Sequence, residues 1–273
     1  MQMSSFAMVS DDPEGSESVS AYAKMTKPKV AHSGKRFVPM VERTAASDLS
    51  VLMAEHLLDA QEFSQWRGVS MYKSCYDYAL YPLLLQEMRP RTIIESGAHC
   101  GASAVWLDDL CRANLGENYC TIISNDLTLE NIPEHLRHHP TIEFIEASNC
   151  NLVETIGAER LRKLPRPLLW IEDAHHEFPE ILQQMHTVLL PGDYIVVEDT
   201  NAVVHKVWQN AAWLAKHDRE EQMEENIMCQ RKCETLREFC IKYEELYAVD
   251  SHYQDMFGYN VGKTMNSIVK RIA

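Results

Sequence analysis

The sequence lacks the marks of several large classes of protein. It has no run of about 18 apolar residues, so no membrane-spanning helix is expected. Residues 1–20 have no apolar stretch behind basic residues of the kind that forms a signal peptide. Basic residues are few, with 26 Lys and Arg against 40 Asp and Glu, and the formal net charge of −14 repels a phosphate backbone. We therefore expect a cytoplasmic protein that binds neither nucleic acid nor membrane.

Two cofactor motifs are also missing. None of the eight cysteines forms a C-x-x-C pair, whereas zinc sites usually need closely spaced ligands, so free thiols are the expected state. The G-x-G-x-x-G turn of dinucleotide-binding folds is absent as well, which argues against NAD.

The length of 273 residues suits one α/β domain of about 200–250 residues with an extension. Residues 1–45 are polar and irregular, and they are predicted to form a flexible N-terminal arm. The domain is predicted over 46–273. Apolar residues at helical spacing predict N-terminal helices over 46–66, with Asp48 as a cap, and over Cys75–Met88.

From residue 92 onward, short apolar runs alternate with amphipathic stretches. Strands are predicted at 92–95, 119–124, 142–147, 167–172 and 193–199, with helices at 102–114, 152–163 and 178–189. This alternation indicates a doubly wound α/β sheet, which binds ligands at the carboxyl ends of its strands. Further strands at 246–250 and 266–272 could complete the sheet. Residues 203–247 are predicted to be an exposed helix pair near the site, a surface compatible with a homo-oligomer.

The first motif with chemical meaning follows the first of these strands, where residues 95–103 read ESGAHCGAS. Gly97 lets the backbone approach a ligand closely, and the following helix start offers free N–H groups. A strand that ends in Glu95 and then Gly97 is the arrangement with which methyltransferases hold the aminoacyl part of S-adenosylmethionine. An ordinary glycine-bearing turn is the alternative.

Asp126 lies just past the second strand of this series. A carboxylate at this point can accept hydrogen bonds from ribose hydroxyls, as in other doubly wound nucleotide sites. A helix cap or turn residue is the alternative, and the adjacent Asn125 is a competing ribose ligand.

The most informative motifs are WIEDAHHEF at 170–178 and PGDYIVVEDTN at 191–201, two apolar strands that each end in a pair of carboxylates. Adjacent strand ends lie about 5 Å apart, so Asp173, Glu198 and Asp199 can converge on one cation. Oxygen ligands suit Mg²⁺, with Mn²⁺ or Ca²⁺ as alternatives. Without a cation or a proton, such carboxylates would repel one another. Glu172 competes with Asp173 as the first ligand, and we favour Asp173.

A histidine follows the first carboxylate pair. His176 lies three residues after Asp173, and an imidazole beside a metal site can remove a proton at neutral pH. His176 is the predicted general base, and the adjacent His175 is the competitor.

These motifs, together with the closing segment DMFGYNVGKTMNSIVKR, resemble the cephalosporin hydroxylase/rhamnosyl O-methyltransferase family, related to metal-dependent macrolide sugar O-methyltransferases. The resemblance implies a seven-stranded Rossmann-like methyltransferase sheet and a Mg²⁺ site. It maps the metal ligands onto Asp173, Glu198 and Asp199 and the base onto His176. Donor contacts are implied at Gly97, Ser103, Asp126 and Ser148, in addition to Glu95 and Asp173.

Taken together, these expectations describe a metal-dependent O-methyltransferase that moves a methyl group from S-adenosylmethionine to a hydroxyl of a small molecule, either a sugar or a natural product. The metal would lower the pKa of the acceptor hydroxyl, and His176 would remove its proton. One alternative is a donor-binding, non-catalytic partner subunit of another biosynthetic enzyme. A hydroxylase is disfavoured because iron oxygenases use histidine-rich ligand sets.

Overall fold

The apolar runs of the sequence form strands in the computed structural model, which describes residues 34–117, 119–219 and 223–273, with the backbone alone for 223–230. The strands are β1 (Phe37–Val38), β2 (Gln65–Trp66), β3 (Val69–Ser70), β4 (Thr92–Ser96), β5 (Thr121–Asp126), β6 (Ile142–Glu146), β7 (Leu168–Glu172), β8 (Tyr194–Val197), β9 (Tyr247–Asp250) and β10 (Ile268–Arg271). Predictions for residues 1–33 lie outside the described residues.

Helices fill most of the connections between these strands. They are α1 (Val51–Gln61), α2 (Cys75–Met88), α3 (Ala102–Leu115), α4 (Glu134–Arg137), α5 (Leu152–Ile156), α6 (Ala158–Lys163), α7 (Phe178–His186), α8 (Ala202–Trp208), α9 (Ala211–Lys216), α10 (Met223–Lys242) and α11 (Ser251–Gln254). Short 3-10 turns lie at Met40–Glu42 and Asn149–Asn151. Among the described residues, no helix is long and apolar enough to cross a bilayer.

Eight of the strands form one mixed sheet in the order β1-β9-β10-β8-β7-β4-β5-β6. Strands β4 to β8 are parallel to one another, whereas β10 runs antiparallel to both β8 and β9. The chain passes from β4 to β5 and β6 on one side, then crosses to β7 and β8 on the other. Such a reversal opens a crevice at the carboxyl ends of the strands, where ligands bind. The predicted methyltransferase-type α/β sheet is confirmed, with β1 as an added strand.

Helices cover both faces of this sheet because successive strand residues point to opposite sides and both sides are apolar. Ile93 and Ile171 pack with α2 and α3 in one cluster. Ile94 and Trp170 pack with α7 and α10 in the other. Each of these side chains is at most 1% exposed, and burying one such side chain stabilises the fold by about 1.5–3 kcal/mol.

The first helix is shorter than predicted. It spans Val51–Gln61, and its cap is Ser50, whose side chain accepts a hydrogen bond from the Met53 amide. The predicted cap, Asp48, instead accepts a hydrogen bond from the Tyr259 amide at 2.8 Å. Asp48 therefore fastens a distant loop, a role that local spacing does not reveal. The second predicted helix, Cys75–Met88, is confirmed, and the Ser74–Asp77 capping box fixes its start.

Residues just before the predicted domain boundary are part of the fold. Phe37 and Val38 pair with β9 at one edge of the sheet, and Arg43 forms a buried ion pair with Asp255 at 2.6 Å. The unit that carries the sheet spans 35–273. The boundary thus lies earlier than the predicted one at residue 45.

The segment at 203–247 differs from the predicted exposed helix pair. It forms the three helices α8, α9 and α10. Leu236 and Phe239 of α10 are buried against the sheet, and Trp208 and Trp213 pack with Leu58 of α1. The many charged residues of this segment made it look exposed in the sequence, but apolar residues between them are buried. The prediction that the whole segment is exposed was wrong.

Candidate active site

A cavity of about 420 Å³ lies at the carboxyl ends of the central strands. The residues that follow five strands contribute to its wall: Gly97 after β4, Asp126 at the end of β5, Ala147 after β6, Asp173 after β7 and Asp199 after β8. The sheet therefore brings together side chains that are far apart in the sequence. Of the predicted site residues, His176 also lines this cavity.

Gly97 is required by the close approach of two strand ends. Its φ is +98°, and a Cβ atom added there would lie 2.7–2.8 Å from backbone atoms of Asp173 and Ala174. The Gly97 amide also donates to the carbonyl of Asn125 at 2.9 Å. Backbone atoms cannot move aside as a flexible side chain can, so this glycine keeps the ends of β4, β5 and β7 together.

Asp126 is held by the backbone around it. Its Oδ2 accepts from the His99 amide and its Oδ1 from the Leu127 amide, both at 2.7 Å. The predicted ribose ligand is thus fixed in position at the cavity wall. The competing Asn125 is also at the wall and buried, and its Oδ1 has no hydrogen-bond partner among the described residues.

Asn149 was missed by the sequence reasoning. It lies on the cavity wall, and its Nδ2 donates to the His176 carbonyl at 3.0 Å. Its buried Oδ1, like that of Asn125, has no partner within the described part of the chain. The signal in the sequence was its position after the third strand of the parallel series, next to the predicted contact Ser148.

Three predicted donor contacts do not reach the described cavity wall. Glu95 is fully buried and accepts hydrogen bonds from Ser124 Oγ, at 2.6 Å, and from Ser103. Burial raises the pKa of Glu95. Ser148 Oγ lies 3.4 Å from Cys150 Sγ. Glu95 and Ser103 therefore brace the turn in this structure, and a direct donor contact for either of them or for Ser148 stays a prediction.

Lys73 links the carboxylates of two adjacent strand ends. Its Nζ lies 2.8 Å from Asp173 Oδ2 and 2.6 Å from Glu198 Oε1. The same Glu198 oxygen accepts a hydrogen bond from Tyr81 Oη at 2.5 Å. Lys73 and Glu198 are almost fully buried, whereas the Asp173 side chain is 22% exposed. Asp173 therefore faces the cavity while Glu198 lies behind it.

The other two strand-end carboxylates also have lysine partners. Glu172 Oε2 lies 2.7 Å from Lys232 Nζ, and Asp199 Oδ1 lies 2.9 Å from Lys263 Nζ. Three buried ammonium groups, those of Lys73, Lys232 and Lys263, thus already reduce the repulsion among the four carboxylates. The sequence alone had suggested a metal ion for this role. Glu172 is fully buried and absent from the described cavity wall, which supports Asp173 as the first ligand.

Burial and ion pairing shift the pKa values of Glu198 and Asp199 in opposite directions. Burial, and then the charge of Asp173, raises the pKa of Glu198 to about 8. Burial would also raise the pKa of Asp199, but Lys263 and His175 outweigh it and hold that pKa well below its usual range. Of Glu198 and Asp199, it is therefore Asp199 whose surroundings favour the ionised form.

A compact ligand set is present at the cavity. Asp173, His175 and Asp199 each offer a ligand atom, and these atoms lie within 4.8 Å of one another. The set shares Asp173 and Asp199 with the predicted trio and brings in His175. Glu198 Oε2 is buried and has no hydrogen-bond partner among the described residues, so it retains lone pairs for a cation. The donors fit a divalent ion, and Glu198 as the third ligand stays a prediction.

Both candidate bases lie at the cavity wall. His175 Nε2 is 3.4 Å from Asp199 Oδ2, so His175 is engaged with the ligand cluster. His176 follows in the turn that leads into α7 and remains the predicted base.

The strand order, the glycine turn and the strand-end carboxylates together define an S-adenosylmethionine-dependent methyltransferase fold. Within that class, residues 60–263 match the family model described as Rhamnosyl O-methyltransferase/CmcI. The chain belongs to this family.

Two curated relatives illustrate the similarity. The chain is 27% identical over 164 residues to the rhamnosyl O-methyltransferase of Mycobacterium bovis (strain BCG / Pasteur 1173P2), a match that covers 54% of this chain and 66% of the relative. It is 30% identical over 149 residues to that of Mycobacterium leprae (strain TN), covering 52% and 62%. The matches thus span less than two thirds of these relatives.

Solved structures of CmcI are similar over a larger part of the chain. One described as Mg-SAM has a TM-score of 0.54 and 25% identity, covering 78% of each chain. One described as SAH has a TM-score of 0.55 and 22% identity, covering 90% of this chain and 98% of the other. The second likeness concerns the fold alone.

Proposed function

We propose that this protein is an O-methyltransferase that transfers a methyl group from S-adenosylmethionine to a hydroxyl of a small molecule, a sugar or another natural product. The observation that carries the proposal is the meeting of Asp173, His175 and Asp199 in the cavity that Gly97 and Asp126 also line. Family membership agrees with it. One cavity thus offers a donor site, a cation site and a candidate base.

The donor would occupy the part of the cavity next to the carboxyl ends of β4, β5 and β6. Gly97 and Asp126 both line the cavity; the aminoacyl end of the donor would lie along the backbone at Gly97, and Asp126 would accept hydrogen bonds from the ribose hydroxyls. The carboxamide oxygens of Asn125 and Asn149, which have no partner in the described part of the chain, can accept hydrogen bonds from donor N–H or O–H groups. Ser148 remains a candidate for the adenine end.

The cation would be held by Asp173 and Asp199, with Glu198 or His175 as a third ligand. When bound, a divalent cation lowers the pKa of an acceptor hydroxyl. His176 would then accept the proton, and the cavity wall would hold the acceptor oxygen in line with the donor methyl group.

The acceptor would contact cavity-wall residues that lie outside the strand-end motifs, namely Gln61, Tyr72, Trp208 and Arg219. Gln61 is 7% exposed, and its Oε1 has no hydrogen-bond partner among the described residues. The charge of Arg219 is offset by Glu62 at 2.6 Å. A cavity wall that holds two aromatic side chains and an amide oxygen without a partner among the described residues suits an uncharged hydroxylated ring better than an anion.

The test is calorimetry with S-adenosylmethionine, followed by a methyl-transfer screen over hydroxylated metabolites with and without Mg²⁺. We expect treatment with EDTA to abolish turnover while donor binding persists. Asp173→Ala should also abolish turnover, but Asp173 is a predicted donor contact as well as a predicted metal ligand, so EDTA is the test that isolates the metal. The matched control is Glu159→Gln, which removes the charge of an exposed carboxylate on α6 and should leave turnover unchanged. Full turnover by chelated protein would refute the metal requirement. Donor binding without turnover on any acceptor would instead favour the non-catalytic partner.

A further inference from the structure

Lys73 belongs to none of the sequence motifs that predicted the site. It lies between the hairpin of β2 and β3 and the start of α2, outside the strands that carry the carboxylates. Its amide donates to the Met71 carbonyl at 2.8 Å. The next residue, Ser74, is locked into the capping box with Asp77. The backbone on both sides is thus fixed, and the side chain is only 4% exposed.

The ammonium group of Lys73 contacts two of the three predicted metal ligands at once. Asp173 is 100 residues away in the sequence, and Glu198 is 125 residues away. A group that bridges two carboxylates at 2.6–2.8 Å provides the charge neutralisation that a cation would otherwise supply.

We propose that Lys73 is a built-in counter-ion for Asp173 and Glu198, and that a divalent cation must compete with its ammonium group for these carboxylates. Lys73 is then a positioning residue that keeps the metal-free site folded and limits the affinity for the cation. The inference rests on the proposed cation site but does not require methyl transfer.

Lys263 is placed to act in the same way on Asp199, because its Nζ lies 2.9 Å from Asp199 Oδ1. Lys232 differs, because its partner Glu172 is absent from the described cavity wall. Lys232 therefore offers a matched control: a second buried lysine paired with a strand-end carboxylate, but with one that lies outside the described cavity wall.

The experiment compares wild-type protein with Lys73→Met, Lys73→Arg and Lys232→Met by Mg²⁺ calorimetry and by thermal unfolding over a Mg²⁺ series. Lys73→Met removes the competing charge, so we expect it to bind Mg²⁺ at least about tenfold more tightly and to gain more in Tm from Mg²⁺. Lys73→Arg keeps the charge and should stay within about threefold of wild type. Lys232→Met should lower Tm with a much smaller change in Mg²⁺ affinity.

Equal or weaker Mg²⁺ binding by Lys73→Met would overturn the proposal. A Lys73→Met protein that folds only in the presence of Mg²⁺ would support it, since the cation would take the place of the ammonium group. Failure to fold even in about 10 mM MgCl₂ would count against it, because bound cation should then stabilise the same carboxylates. These readouts stand apart from turnover, so an inactive wild-type protein with the expected Mg²⁺ shifts would refute the proposed function alone.

Discussion

Replacing Gly97 with alanine tests the geometry on which the cavity depends. Two costs add at this position. An L side chain at a φ of +98° adopts a left-handed conformation, which costs roughly 1–2 kcal/mol. The new Cβ would also lie 2.7–2.8 Å from the backbone of Asp173 and Ala174, and overpacking of this kind costs typically 1–3 kcal/mol. We expect a loss of about 2–5 kcal/mol in the free energy of unfolding.

Gly192 provides the matched control for this variant. Its φ is also +98°, but a Cβ added there would meet nothing within 4 Å. Gly192→Ala should therefore carry the conformational cost alone, roughly 1–2 kcal/mol. Because alanine reduces the freedom of the unfolded chain equally at both sites, the difference between the two variants isolates the clash, at about 1–3 kcal/mol.

Urea unfolding of the two variants and the wild type supplies the free energies. Gly97→Ala should also lose up to about 100-fold in turnover, because a displacement of Asp173 by about 1 Å would misplace the reacting groups. If Gly97→Ala is no less stable than Gly192→Ala, the close approach of β4 and β7 is not a constraint in the folded protein and the reasoning fails.

Two further predictions concern the acceptor end of the cavity and the dependence of stability on pH. Gln61→Leu removes an amide oxygen that has no partner within the described residues. It should raise the KM for the acceptor by about tenfold and leave donor binding unchanged. Steady-state kinetics and calorimetry measure the two effects, and an unchanged KM would place the acceptor elsewhere. Hydrogen bonds from Lys216, Trp213 and His217 outweigh burial and lower the pKa of Asp59 in the folded protein. Its contribution to stability is therefore present above the unfolded pKa of about 4 and is lost as the pH falls through the lower folded pKa. Urea unfolding between about pH 6 and pH 3 should show a shallower loss for Asp59→Asn than for wild type, and identical slopes would contradict the assignment.

The sequence was most informative where neighbouring residues decide the structure. The strands around Ile94 and Trp170 and the helix Cys75–Met88 follow from local apolar patterns and capping. The convergence of Asp173 and Asp199 also followed, because residues at the ends of adjacent parallel strands must meet at one edge.

What could not be predicted depends on contacts between distant segments. Lys73 meets Asp173 only after the hairpin and α2 have packed against the sheet, and nothing near Lys73 in the sequence marks it as a partner. Asp48 looked like a helix cap because its spacing suited one, yet it bonds to the Tyr259 amide. The charges at 203–247 suggested exposure, although buried apolar residues such as Phe239 lie among them.

The short strand β1 has a consequence for the solubility of the protein. Without Phe37 and Val38, the backbone of β9 would present an unpaired edge, which is a template for association with other chains. At the opposite edge, β6 carries Glu143, which forms an ion pair with Arg160; charged side chains on an edge strand disfavour pairing with another chain. One edge of the sheet is thus covered by backbone pairing with β1, and the other carries charged side chains. A shortened chain that begins after Val38 should therefore aggregate, even though it would keep every residue that lines the cavity.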